Sequence, residues 1–306
     1  MTAATKSFIS GNEVTAQQII ELFELSEQIK LKPEYFQYAL RGKHIAMMFE
    51  KPSLRTKASF QVGIEKLGGQ AHFYDMQSQP IGARESLKDI CMNLSQWYDA
   101  IVARVNCHST LQKMSAITET PIVNALCDKF HPCQALADLF TLYEIDTDFS
   151  HWHIAYFGFA NNVTRSLIQI AHELGVKLSV VCHSEASFSQ KEMALWQQSS
   201  AGKIQFLNDP DDLISCDVIY TDVWQSMGQQ QLSESLKQSL QKFQVNRKVM
   251  AASGAKFFMH CQPVHRGEEV CATVCDSNYS IMYQQSRNRM ITQQALVYSL
   301  FSGKLL

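Results

Sequence analysis

The chain has 306 residues, 46% of them hydrophobic and 18% charged, with a net charge of -2. That composition excludes wholesale disorder and suits about two domains at roughly 150 residues each. The near-zero charge excludes a global field for nucleic acid, and no apolar run reaches the ~18 residues of a membrane span. The opening MTAATKSFISGNEVTAQQIIELFEL lacks a basic stretch followed by an apolar one, so no secretory signal is expected. Nine cysteines, an odd number without repeated spacing, read as reduced thiols in a cytoplasmic protein.

The first predicted helix is AQQIIELFELSEQIKL, with Ile19, Ile20, Leu22, Phe23 and Leu25 at helical spacing. A strand HIAMMFE (44–50) follows, then a helix opened by Pro52 and Ser53 and closed by Gly68-Gly69. AHFYD, IVARV and PIVNALC read as strands, alternating with helices over ESLKDICMNLSQWY, LQKMSAIT and CQALADLFTLYEI (133–145). The polar stretch DTDFSHW interrupts this pattern. It restarts with strands HIAYFGF, KLSVVC and IQFLND, separated by helices VTRSLIQIAHELG and KEMALWQQSS. Two later strands, DVIYTDVW and KFFMHCQP, precede a closing helix, NRMITQQALVYSLFS. The glutamine-rich QSMGQQQLSESLKQSLQKFQ reads as a loop leading into a surface helix. Cys271 and Cys275 are spaced to share one helix face as buried thiols. The predicted fold class is α/β, with two doubly wound parallel-sheet domains. The domains are expected over 1–145 and 146–285.

Six polar clusters fall just past the C-terminal ends of predicted strands, where open parallel sheets bind ligands. Three come from each half, so the expected site lies in a cleft between the domains. After the first strand, the hydroxyls of Ser53 and Thr56 and the guanidinium of Arg55 surround a helix start. That is an anion cradle suited to phosphate. Arg104 ends a neighbouring strand. His131 and Gln134 flank Pro132 at another helix start; such a pair suits a planar carbonyl-amide group, His polarising the oxygen and Gln reading the nitrogen. In the second half, Asp222 and Ser226 suit an ammonium. Asn162 and the Met227 N–H suit a carboxylate, and Gly228 lets the backbone approach closely. The second-half set therefore fits a zwitterionic amino acid. Taken singly, each cluster reads equally well as an ordinary helix cap or turn.

Taken in order, FEKPSLRTKASFQVGIEKLGG, HPCQALADLFTLYE, the NNV segment, DVWQSMG and FMHCQPVHRGEEV resemble the aspartate/ornithine carbamoyltransferases. The resemblance runs from about residue 44 to the end, and DVWQSMG and FMHCQP point to ornithine as acceptor. It implies a carbamoyl phosphate domain, an amino-acid domain, a last helix (286–306) packing back on the first, and trimers or multiples of trimers. It implies no metal or cofactor. Carbamoyl transfer to the side-chain amine of ornithine, giving citrulline in arginine metabolism, is the expected activity. By the same resemblance, Ser53, Arg55, Thr56 and Arg104 grip the phosphate and carbonyl oxygen, with Leu54 contributing backbone N–H. His131 helps polarise that oxygen, and Arg289 lies at the phosphate side. Gln134 takes the carbamoyl NH2 with backbone carbonyls near Cys261 and Gln262. Asn162, Asp222, Ser226 and Met227 hold ornithine's backbone groups, and Cys261 sits beside the reacting amine.

The sequence departs from the family pattern at Leu54 (commonly Thr), Gln262 (commonly Leu), Phe159 (commonly Asp) and Arg287 (commonly an acid). Pro80, in SQPIGARES, stands where a Gln or His contacts carbamoyl phosphate in a neighbouring subunit. These departures leave open a catalytically weakened homologue or another amine acceptor, such as acylated ornithine, putrescine or lysine. A nucleotide-binding dehydrogenase is set aside because no G-x-G-x-x-G follows a predicted strand. A zinc site of His260, Cys261 and His265 is set aside for want of a second spaced ligand pair.

Overall fold

The computed structural model describes residues 7–225 and 231–303. It divides into two compact units, one reaching to Phe140 and resuming at Asn288, the other spanning Thr141–Arg287. The first contains α1 (Ala16–Leu31), β1 (His44–Phe49), α2 (Leu54–Lys66), β2 (Gln70–Asp75), α3 (Leu87–Trp97), β3 (Ala100–Arg104), α4 (His108–Ile117), β4 (Ile122–Leu126) and most of α5 (Pro132–Tyr143). The second runs β5 (His153–Gly158), α6 (Asn162–Leu174), β6 (Lys177–Cys182), α7 (Gln190–Ser199), β7 (Ile204–Leu207) and β8 (Val218–Thr221). It continues through α8 (Glu234–Leu240), α9 (Arg247–Ser253), β9 (Phe257–His260), α10 (Ala272–Cys275) and the first turns of α11 (Met282–Ser302).

Every pairing between these strands is parallel. The orders are β2-β1-β3-β4 and β7-β6-β5-β8-β9. Such sheets need apolar side chains on both faces. In β1, Ile45, Ala46, Met47, Met48 and Phe49 are all buried, alternate residues serving opposite faces. β5 and β8 bury Ile154 to Phe157 and Val218 to Tyr220 in the same way. The strand order reverses between β1 and β3 in one sheet and between β5 and β8 in the other. Those two reversals leave crevices at the strand C-termini, and the polar clusters stand there.

The last helix belongs to the first unit from Asn288 onward. Its Gln294 Nε2 donates to the Gly63 carbonyl of α2 at 3.2 Å. A Cβ at Gly63 would stand 3.1 Å from Gln294 Cγ, so glycine lets the two helices approach this closely. Tyr298 meets Phe36 edge-on.

Several expectations are corrected. The closing helix starts at Met282, six residues before Asn288, because its first turns carry polar residues that no apolar period reveals. α9, of 7 residues, was not expected as a helix; α10, where a helix bearing Cys271 and Cys275 was expected, is only 4 residues long. Cys271 is the N-cap of α10, so it does not share a helix face with Cys275. All nine cysteines are free. Among the described residues, no helix is long and apolar enough to cross a membrane.

Candidate active site

In the first unit, Ser53 is the N-cap of α2, its Oγ accepting from the Thr56 N–H at 3.3 Å. β1 ends beside β3, Phe49 pairing with Arg104, so the helix start and Arg104 share one crevice. Two guanidiniums converge on the Thr56 hydroxyl. Arg289 Nη2 donates to Oγ1 at 2.6 Å and Arg104 Nη1 at 3.4 Å. The Leu54 side chain points to solvent at 81% exposure, leaving its backbone as the part available to the site. Burial, Arg289 and Arg55 push the Arg104 guanidinium down to about 10. It stays charged at neutral pH, but beside two like charges. Gathered cations of this kind favour an anion, which relieves their repulsion.

His131 stands at the start of α5, 4% exposed. Arg289 Nη2 lies 3.3 Å from His131 Nε2. A guanidinium can only donate, so Nε2 accepts and the ring proton is assigned to Nδ1. Burial first, then Arg289 and Arg104, hold the imidazole well below its usual range. The folded protein thus keeps His131 neutral where the unfolded chain binds a proton below about pH 6.5. The stability this supplies is full above that pH and is lost as pH falls. His131→Asn is expected to flatten the decline of Tm between about pH 6.5 and about pH 5. Calorimetric scans giving equal slopes for both proteins would refute this.

Gln134, in the first turn of α5, is buried and donates from Nε2 to Asp138 Oδ1 at 2.8 Å. Pro80 is exposed in the loop after β2, its carbonyl accepting from the Ala83 N–H at 3.0 Å. Glu50 holds this loop, accepting from the Ile81 N–H at 2.8 Å and from the Asn106 N–H at 2.6 Å.

In the second unit, the carboxylate of Asp222 follows β8 and is 5% exposed. Oδ2 accepts from Asn161 Nδ2 at 2.8 Å; Oδ1 accepts from the Val223 N–H at 2.8 Å and from Cys261 Sγ at 3.0 Å. Asn161 also caps α6, its Oδ1 accepting from the Val163 and Thr164 N–H groups. Asn162 is the first residue of that helix, with Oδ1 3.1 Å from the Val163 N–H. Tyr156 is fully buried nearby, its phenol pushed well above its usual range by burial and by Asp222. It stays neutral and donates to the Phe159 carbonyl at 3.0 Å. Ser226, Met227 and Gly228 lie outside the described residues.

The turn after β9 is held by a buried pair. His260 Nε2 lies 3.0 Å from Glu269 Oε1, and His260 Nδ1 accepts from the Gln262 N–H at 2.8 Å. Glu269 Oε1 also accepts from the His265 N–H at 2.6 Å. This clamp fixes Gln262 at φ 61, a left-handed conformation, directly after Cys261. Cys261 and His260 gather with Asp222, while His265 gathers with Glu268 and Glu269. Both His260 nitrogens already serve the clamp. Phe159 packs with Trp224, Ala186 and Leu240. Gly158, at φ 111, leaves room for that indole; a Cβ there would stand 2.9 Å from Trp224 Nε1.

In the first unit Ser53, Arg55, Thr56, Arg104, His131 and Arg289 are therefore brought together, and Gln134 follows His131 in the first turn of α5. In the second unit Asn161 and Cys261 meet at Asp222, and Asn162 follows Asn161 as the first residue of α6. Arg287 is exposed on α11, the last residue counted with the second unit. The sequence reading missed Asn161 as the direct partner of Asp222, Asp138 as the partner of Gln134, and Glu269 behind His260. The four-residue spacing from Gln134 was the available signal for Asp138. Glu269 lay in a quoted motif, but nothing marked it as buried.

One parallel α/β unit gathers cations at a helix start, as an anion-binding unit does, and the other carries a buried carboxylate at its own strand-order reversal. Family-level comparison agrees: residues 6–144 match the carbamoyl-P binding domain of aspartate/ornithine carbamoyltransferase, and residues 150–300 match its Asp/Orn binding domain. The chain belongs to the aspartate/ornithine carbamoyltransferase family. A protein of Shewanella oneidensis named ornithine carbamoyltransferase is 43% identical over 300 residues, covering 97% of this chain and 100% of that protein. A namesake from Moritella abyssi is 40% identical, covering 96% of this chain and 99% of its own length. The solved ornithine carbamoyltransferase of Pyrococcus furiosus superposes with a TM-score of 0.90 at 34% identity, covering 98% of each chain.

Proposed function

We propose that this chain transfers the carbamoyl group of carbamoyl phosphate to the δ-amine of L-ornithine, giving L-citrulline and phosphate. The observation that carries the reading is the convergence of Arg104 and Arg289 on Thr56 beside a neutral, buried His131. Ser53, Arg55, Arg104 and Arg289 would take the phosphate, and the Leu54 backbone N–H would add to the helix-start cradle. As the δ-amine attacks, negative charge grows on the carbonyl oxygen. Thr56, Arg104 and the His131 Nδ1–H are the donors assigned to it. Gln134 would accept from the carbamoyl NH2. Asp222 and Ser226 would hold the α-ammonium, and Asn162 and the Met227 N–H the carboxylate. Cys261 and the Gln262 carbonyl would border the reacting amine. As the C–O bond breaks, the departing phosphate takes the proton that the attacking amine loses, so alignment and charge stabilisation suffice without a dedicated base.

The relatives' shared name supports ornithine as acceptor, and an anionic Asp222 disfavours aspartate. We further propose a homotrimer, or a multiple of one, working in arginine biosynthesis in the cytoplasm. Nine free thiols suit a reducing compartment. Tyr74, Met92 and Trp97, exposed along β2 and α3, offer apolar surface for assembly. A citrulline assay run in parallel with ornithine, acylated ornithine, putrescine, lysine and aspartate tests the reading. Product with ornithine alone is expected, with kcat rising with pH as the bound amine deprotonates. Faster turnover of any other acceptor, or none with ornithine, would reject it.

A further inference from the structure

Gln134 and Asp138 lie one turn apart on α5, each 1% exposed. The amide NH2 of Gln134 is committed to Asp138 Oδ1 at 2.8 Å. Its Oε1 is buried and has no hydrogen-bond partner among the described residues. A carboxylate can only accept, so Asp138 selects the amide orientation that turns NH2 toward itself and oxygen away. The opposite flip would set oxygen against oxygen. What remains is a desolvated acceptor at the head of α5, three residues after His131. Such a group calls for a donor from a ligand.

Carbamoyl and acetyl groups have nearly the same shape; they differ in NH2 against CH3. Shape alone separates such pairs poorly, whereas a site built around a hydrogen bond rejects the analogue that lacks it. We propose that Asp138 is a positioning residue that locks Gln134 Oε1 as the acceptor for a carbamoyl NH2, making the donor site selective for carbamoyl over acetyl phosphate. This rests on the reading of the first unit as the carbamoyl phosphate site. It goes beyond it by placing the selectivity in a residue that touches no substrate.

Phosphonoacetamide and acetonylphosphonate test it, since they differ only in NH2 against CH3 and neither can react. Wild-type protein is expected to bind the amide about 30-fold more tightly, the scale set by one buried acceptor left unpaired. In Asp138→Asn the partner both donates and accepts, so Gln134 can flip. The preference should then fall to about threefold, with affinity for inorganic phosphate unchanged. Asp138→Ala should behave alike. A merely structural role would weaken both analogues together and leave their ratio standing; a preserved ratio in either variant overturns the proposal.

Should neither variant fold, 15N-glutamine labelling of the wild type decides. The Gln134 NH2 protons, identified by their loss in Gln134→Leu, should be protected from solvent exchange before and after phosphonoacetamide binds. Rapid exchange in the free protein would place the NH2 in the ligand space and overturn the proposal. Citrulline formation by the wild type, measured separately, distinguishes failure of the functional reading from failure of this inference.

Discussion

Replacing Arg104 with leucine should lower kcat/KM for carbamoyl phosphate by about 1,000-fold, because one guanidinium is asked to serve both the phosphate and the developing oxyanion. Its Nη1 reaches Thr56 Oγ1 only at 3.4 Å, and its Nε is buried with no partner among the described residues. A charged donor held in that way is oriented for something other than the protein. The same variant should hold or raise Tm, since burial, Arg289 and Arg55 already press against the charge on Arg104. Steady-state kinetics with thermal melts checks both halves. A loss of activity under about tenfold would remove Arg104 from the proposed chemistry.

Asp222→Ala is expected to cut kcat/KM for ornithine by about 100-fold or more while leaving KM for carbamoyl phosphate within about twofold. Two losses combine. The ammonium loses its counter-charge, and Asn161 Nδ2 and Cys261 Sγ lose the carboxylate that accepts from them. Asp222→Asn retains the shape and separates these contributions. 5-Aminopentanoate keeps the reacting amine and the carboxylate but lacks the α-ammonium, so any residual turnover of it should be nearly insensitive to either change. Equal losses for ornithine and 5-aminopentanoate would mean that Asp222 supports the fold and does not bind the ammonium.

Strand ends were the most legible part of this chain in sequence, and the site follows from them. β1 and β3, and in the other sheet β5 and β8, are apolar runs that stop abruptly at Glu50, Arg104, Gly158 and Asp222, and each parallel sheet places its own stops along one edge. α9 was illegible because its 7 residues carry no readable apolar period. Side-chain pairs across the fold were illegible for a different reason. Arg289 and Thr56 are 233 positions apart, and only the resemblance put Arg289 at the phosphate side. Asn161 and Asn162 are alike in sequence. Only the turn of the backbone entering α6 decides that Asn161 both caps the helix and reaches Asp222.

The first unit is interrupted, since its last helix arrives only after the whole of the second has been synthesised. A nascent chain emerging from the ribosome therefore lacks Arg289 until the whole second unit has been made, whereas Thr141–Arg287 is continuous and can form earlier. Closing contacts over so long a separation is entropically slow, so maturation of the anion pocket should be the final event of folding. A polypeptide that stops before Asn288 would carry Ser53, Arg55 and Arg104 yet lack the guanidinium that fixes Thr56, which couples competence to the arrival of α11.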